Sequence, residues 1–294
     1  MPEDDAMCSA LSTDESETLC VMGHSSGELR LVEVSSLEVV AGVQAHHASV
    51  CCVSFCYFRR GERCIISAAS DGEVRLFELS GGTAESEHQM QLTRLATLRA
   101  ATGVRVHSLD VLRSLSTGSC SHWLASSEHQ QVQVWPLPDA ALTPADPILT
   151  IELEPEPLLV VAHELAAIGW RCLAAFCPHH HQVIACCGLT RERRLLFYDF
   201  VQRQPLMAVP LPEWPTSLAF SRCAPLLAIA GARGRVMLIS YPQFGAFYPF
   251  LGVAKLDVVN ISLHTRTVNS VYFGGSVLHT ATDREIAEWQ LPST

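Results

Sequence analysis

Apolar and polar residues alternate in short runs along most of the chain, and the runs come in sets. The last set is the clearest. From His264 to Leu291 the sequence HTRTVNSVYFGGSVLHTATDREIAEWQL holds a valine-rich alternating run, a turn, a second apolar run, Asp283 and a third run ending in Trp289. Alternation over about four to eight residues, rich in β-branched and aromatic side chains and bounded by Gly, Ser, Asp or Pro, predicts short antiparallel strands joined by tight turns. Weaker copies precede it. The residue opening each third run falls at Leu29, Val74, Val132, Leu195, Val236 and Ile286, at spacings of 41 to 63 residues. Before these markers stand the apolar runs TLCVMGH, RCIISAAS, HWLASSE, QVIACCG, PLLAIAG and SVLHTAT. In five sets another run comes first (VSFC, LDVL, AAFC, LAFS, VYFG), whereas the first set has only the shorter AMCSALS. A more variable fourth run follows in EVVAGVQ, LTRLATL, ILTIEL, PLMAVPL and KLDVVNIS. Helical periodicity has one weak candidate, Leu158 to Ala167.

Each set therefore predicts a four-stranded antiparallel sheet. Such a sheet has two apolar faces and cannot stand alone, so sheets must stack face to face, and radial stacking suits this spacing. The residues at this point resemble the WD-repeat β-propeller family. Its pattern has a histidine four residues before the first valine of strand one, an aspartate in the second turn, and a tryptophan six residues later. His264, Val268, Asp283 and Trp289 fit that spacing, as do His46, Val50, Asp71 and Phe77. Other sets depart from it: the aspartate position holds Ser26, His129, Glu192 and Arg233, and the tryptophan position holds Val32, Trp135, Tyr198 and Ile239. There is no Trp-Asp dipeptide, and the hydroxyl expected two residues before the aspartate is Ala69 or Ala281.

The resemblance implies an all-β fold, a WD40-type β-propeller of four-stranded antiparallel blades, forming one domain over residues 1–294 behind a short acidic segment, 1–6. Six repeats are visible, and the length between Val132 and Leu195 leaves room for part of a seventh near Pro157 to Gly169. It also implies that His46 with Asp71, and His264 with Asp283, are buried pairs that fix turns, a structural role. The last set stops after its third run, and only MPEDDA, poor in strand formers, precedes the first. Either those residues pair weakly with the last blade, or it keeps an open edge, able to accept a strand from another chain.

Composition narrows function. The formal charge is −10, with a cluster of acids near the start, which argues against broad nucleic-acid binding. Lys255 is the single lysine. MPEDDAM has no apolar core and is not a secretory signal. The most apolar stretch, Pro157 to Pro178, carries His163, Glu164 and Arg171 and reads as buried structure, not a membrane span. Twelve cysteines without a signal point to a reducing compartment, cytosol or nucleus, with buried thiols acting as small hydrophobes.

Three motifs offer other chemistry. Gly23-His24-Ser25-Ser26-Gly27 matches the hydrolase nucleophile elbow, but that device needs a following helix and here strand-like ELRLVEV follows. Cys172, Cys177, His179, His180, His181, Cys186 and Cys187 could suggest zinc, yet adjacent strand residues such as Cys186 and Cys187 face opposite ways. Phe58-Arg59-Arg60-Gly61 is the tetrapeptide of phosphoinositide-binding propellers, here placed in a turn between the first and second runs of its set. A further feature is the arginines of the turns before the third runs: Arg191, Arg193 and Arg194, then Arg233 and Arg235, then Arg284. Forked guanidinium donors suit carboxylate or phosphate recognition. The expected function is a non-catalytic scaffold or adaptor for other proteins, without cofactor or metal, whose turn face can take an acidic or phosphorylated segment. The alternatives are an open subunit of a coat or nuclear-pore-like assembly completed by a partner strand, and a phosphoinositide-binding propeller using Arg59 and Arg60.

Overall fold

The computed structural model describes residues 7–14, 16–58, 61–81, 90–113, 119–137, 146–154, 171–190, 192–241 and 257–291. They form six antiparallel sheets in chain order. The first is β1 (Cys8–Thr13), β2 (Leu19–His24), β3 (Glu28–Glu33) and β4 (Val39–Gln44). The second is β5 (Val50–Tyr57), β6 (Arg63–Ala69), β7 (Val74–Ser80) and β8 (Gln91–Arg99), and the third is β9 (Val106–Arg113), β10 (Cys120–Ser127), β11 (Gln131–Pro136) and β12 (Leu149–Glu152). Next come β13 (Leu173–Phe176), β14 (Val183–Cys187), β15 (Arg194–Asp199) and β16 (Gln204–Pro210). The fifth sheet is β17 (Pro215–Phe220), β18 (Leu226–Gly231), β19 (Arg235–Ser240) and β20 (Asp257–Ser262). The sixth is β21 (Ser270–Gly274), β22 (Val277–Ala281) and β23 (Ile286–Gln290), three strands among the described residues. Each sheet runs in sequence order, strand beside next strand. All six marker residues fall in the third strands, and the short AMCSALS run supplies β1.

The chain divides into two compact units, Met1–Glu128 with Gln133–Thr150, and His129–Val132 with Ile151–Thr294. In each, neighbouring sheets pack face to face. Leu19, Val21, Leu29 and Leu31 of the first sheet meet Val53, Phe55, Ile65 and Phe77 of the second. The opposite face of the second sheet, with Ile66 and Leu76, meets Val106, Trp123 and Trp135 of the third. In the other unit Leu195 and Phe197 meet Leu227, Ile239 and Tyr241, and Ala228 and Val236 meet Val271, Phe273 and Leu278. Because both faces of an inner sheet are covered, its middle strand loses the polar half of its alternation. That is why β6 of the second sheet reads RCIISAA, with Cys64 fully buried as a small apolar group; β14 reads VIACC, and its Cys186 and Cys187 are fully buried too. The outer strands β4 and β20 stay largely exposed, which accounts for their variable composition. Burial of these faces, at roughly 25 cal/mol per Å² of apolar surface, is what holds sheet to sheet.

Several expectations meet their positions here. Gly23–Gly27 is the turn from β2 to β3, closed by the Gly27 amide on the His24 carbonyl, so Ser25 sits between strands and no helix follows. The Leu158–Ala167 candidate helix, the Pro157–Gly169 segment, residues 1–6 and the Arg59-Arg60 pair lie outside the described residues.

Candidate functional site

One backbone device recurs at the turns between second and third strands. A carbonyl in the turn accepts amide protons from the chain leaving the fourth strand of the same sheet. Gly27 receives Ala45 and His46, Asp71 receives Thr102 and Gly103, and Gly234 receives Leu263 and His264. The Gln130 carbonyl receives Leu153, and the Arg193 carbonyl receives Leu211. The turns also need left-handed backbone. Gly27, Gly72 and Gly234 have φ of 86°, 86° and 85°, whereas Gln130 and Arg193 hold 58° and 42° at the corresponding place. Glycine is enforced where the clasp is tight: a Cβ on Gly27 would lie 2.2 Å from the His46 carbonyl oxygen, and one on Gly234 2.0 Å from that of His264. Turn and connecting loop are thus locked together, leaving the intervening side chains to vary.

Beneath two of these clasps lie the predicted histidines. His46, 1% exposed, places Nε2 2.7 Å from the Ser67 hydroxyl and Nδ1 3.4 Å from the Glu73 carboxylate. Arg75 closes the network with a 2.8 Å ion pair to Glu73 and a hydrogen bond to the Ala45 carbonyl. Burial lowers the His46 pKa, the Arg75 charge adds to that, and the Glu73 and Asp71 carboxylates oppose it. Asp71 itself accepts the Glu73 amide at 3.0 Å and shapes the turn from outside. In the sixth sheet His264 Nε2 is 2.8 Å from the Thr280 hydroxyl, which also accepts the Trp289 indole N–H at 2.9 Å, and Nδ1 is 2.5 Å from Glu285. Asp283 is exposed and accepts from Arg266 at 2.8 Å. The carboxylate facing each imidazole therefore comes two residues after the aspartate named by spacing. Ser67 and Thr280 share a register position, since they pair with Arg75 and Ala287, each one residue past the marker of its third strand. Counting from the markers would have found both hydroxyls; counting from the aspartates points to Ala69 and Ala281.

The fifth sheet solves the same problem differently. Its register equivalent is Ile229, opposite Met237. No histidine stands in the loop leading into β17; Glu213 does, 5% exposed. Its Oε1 accepts the Arg235 amide at 3.0 Å, the Arg233 amide adds a second bond, and Oε2 has no partner among the described residues. Burial raises its pKa, against the pull of those amides and of the Arg235 and Arg233 charges. A Cβ on Gly231 would lie 1.9 Å from Glu213 Oε1, so glycine is needed for the carboxylate to pass. Nothing in the repeat pattern flagged this residue.

The turn arginines separate into groups. Arg194 pairs with Glu192, and Arg284 shares Asp283 with Arg266. Arg191 lies outside the described residues. Arg193 stacks over Trp214 with its guanidinium carbon 5.4 Å from the ring centroid. Backbone bonds join its turn to the neighbouring loops: Leu211 donates to Arg193, Ala232 to Trp214, and Val268 to Gly231. The Thr267 hydroxyl adds a bond to the Ala232 carbonyl at 2.8 Å. Arg193, Arg233, Arg235 and Arg266 are all exposed on this joined surface. Arg171, whose Nη1 donates to the Thr216 carbonyl at 2.9 Å, adjoins them. Arg171 and Arg266 lie outside the turns that the repeat pattern singles out.

The cysteine and histidine stretch has other occupations. Cys177 and Cys187 pack in the apolar core between the fourth and fifth sheets, while Cys186 is also buried. His179 Nε2 lies 3.2 Å from the Ser221 carbonyl and 3.1 Å from that of Ala224, so this nitrogen is a proton donor to backbone.

Comparison with known proteins places this architecture. Residues 6–293 match the family described as WDR90, 4th beta-propeller. WD repeat-containing protein 90 of Xenopus tropicalis is 24% identical over 92% of this chain and 13% of that protein, and the Mus musculus protein of the same name is 23% identical over 94% and 16%. The chain thus spans a small part of these relatives' length. Among solved structures, a chain of the mitotic checkpoint complex crystal structure superposes with a TM-score of 0.73 at 16% identity, covering 99% of this chain and 78% of that one. The six antiparallel sheets are blades of a WD40-type β-propeller, and the chain belongs to the WDR90 fourth β-propeller family.

Proposed function

We propose that this propeller is a non-catalytic scaffold that holds partner proteins on its turn-and-loop face. The observation that carries the reading is the clasped turn: backbone bonds fix the loops of successive sheets while their side chains remain exposed and differ from sheet to sheet. A rigid surface with variable side chains is suited to binding, because little loop entropy is lost when a partner docks. Membership of a WD-repeat family supports the same reading. Its twelve cysteines are all free thiols, which fits a reducing compartment such as cytosol or nucleus.

Photo-crosslinking tests this. A photoreactive residue placed at Ser25, Thr102 or Thr265, on the loops, should capture partner proteins from the native cell, whereas the same residue at Glu33 or Gln202, at the other ends of the strands, should not. Equal capture from both ends would reject the loop face as the binding surface.

A further inference from the structure

We propose that the joined surface around Trp214 docks an aspartate- and glutamate-rich peptide segment of a partner protein, with Arg193 as its anchor and Arg233, Arg235 and Arg266 flanking it. This deepens the scaffold reading and rests on it.

The first ground is backbone cost. At the clasped turn position three sheets use glycine at φ near 85°, but the fourth uses Arg193 at 42°. A non-glycine residue in the left-handed region costs roughly 1 kcal/mol or more, and such outliers point to a role for the side chain. Gln130, the other exception, has an internal one: its Oε1 accepts the Leu189 amide at 2.9 Å. Arg193 is exposed, with its guanidinium over the Trp214 ring.

The second ground is preorganisation. Stacking over Trp214 restricts a side chain that otherwise loses about 2 kcal/mol of rotamer entropy on binding. The indole is itself fixed, since Trp214 is 9% exposed, packs with Leu189 and partly buried Ala232, and accepts the Ala232 amide through its carbonyl. A planar, preset donor fork matches a carboxylate in two-point geometry.

The third ground is charge. The protein carries −10 overall, yet the segments 189–193, 211–216, 231–235 and 263–266 expose Arg193, Arg233, Arg235 and Arg266. The acids close to them are already engaged. Glu213 is buried on the Arg235 and Arg233 amides, Glu192 pairs with Arg194, and Asp283 pairs with Arg266 at an exposed, weak contact. A basic surface on an acidic protein selects an acidic segment and disfavours a basic one.

The test measures fluorescence anisotropy of a labelled peptide of alternating aspartate and glutamate on the purified full chain. Binding should weaken as salt rises from about 0.01 M to about 0.15 M, which shortens the Debye length from about 30 Å to about 8 Å. Arg193→Gly is the informative variant: it relieves the backbone and should keep or raise the melting temperature while weakening the peptide. Combined with Arg233→Glu, the loss should reach at least tenfold, whereas Arg203→Glu with Arg222→Glu, at the far ends of the same strands, should change affinity little. Unchanged affinity in Arg193→Gly/Arg233→Glu would overturn the proposal, as would equal binding of a glutamine and asparagine peptide. A phosphoserine peptide that binds where the carboxylate peptide does not would overturn it too. Crosslinked partners retained by the double variant would refute this site and leave the scaffold reading standing.

Discussion

The loop leading into the second sheet and the loop leading into the fifth do one job with different polar groups. Before β5, a buried imidazole reaches a hydroxyl and a carboxylate, and Arg75 balances the carboxylate. Before β17, a buried carboxylate reaches two backbone amides, with two arginine charges nearby. The difference follows from one register position. Ser67 gives an imidazole something to bond, whereas Ile229 gives it nothing, so the fifth sheet draws on the turn's own amides, which need an acceptor. What the blade requires is a polar group that satisfies the turn from below. Its identity can change if the whole local set of partners changes with it.

Removing that group should have the largest effect. His46→Ala would strand the Ser67 hydroxyl and the Glu73–Arg75 pair in a buried space, and should cost about 3 kcal/mol in urea unfolding. Thr280→Val removes the hydroxyl shared by His264 and Trp289 and should cost about 2 kcal/mol by the same measurement. A smaller change, about 1 kcal/mol, is expected for Asp71→Ala, which loses one bond to the Glu73 amide. Asp283→Ala, on an exposed ion pair, should stay within about 0.5 kcal/mol. If the aspartate variants cost as much as His46→Ala and Thr280→Val, the assignment of hydroxyl and glutamate as the working partners is wrong.

Acid distinguishes the two loops by sign. His46 has a folded pKa below its unfolded value of 6.5, so the unfolded chain binds the proton more readily and stability falls as pH drops through about 6.5. Glu213 has a folded pKa above its ordinary value of 4.5, so its contribution is complete below that value and is lost as pH rises through the folded pKa. Glu213→Gln should therefore unfold at higher urea than the parent near pH 7.5, with the gap closing on acidification. A variant less stable than the parent at pH 7.5 would show that the amides and arginines prefer the charge.

Sheet order and strand content follow from local pattern. Alternation and turn residues locate the strands, and the markers Leu29 through Ile286 fix the register of each third strand, because a period of two admits only one buried face. The doubly apolar β6 and β14 likewise announce inner strands. The polar contacts are another matter. His46 and His264 were identifiable by spacing, but their carboxylate partners were not, since Glu73 and Glu285 reach the ring only through the geometry of the closed turn. Glu213 left no trace in the pattern because its partners are backbone amides, which every sequence has. Arg193 is the plainest case. The sequence shows an arginine in a turn; only the tertiary structure shows it at left-handed φ over Trp214, because both features depend on a loop that returns from the end of β16 to clasp that turn.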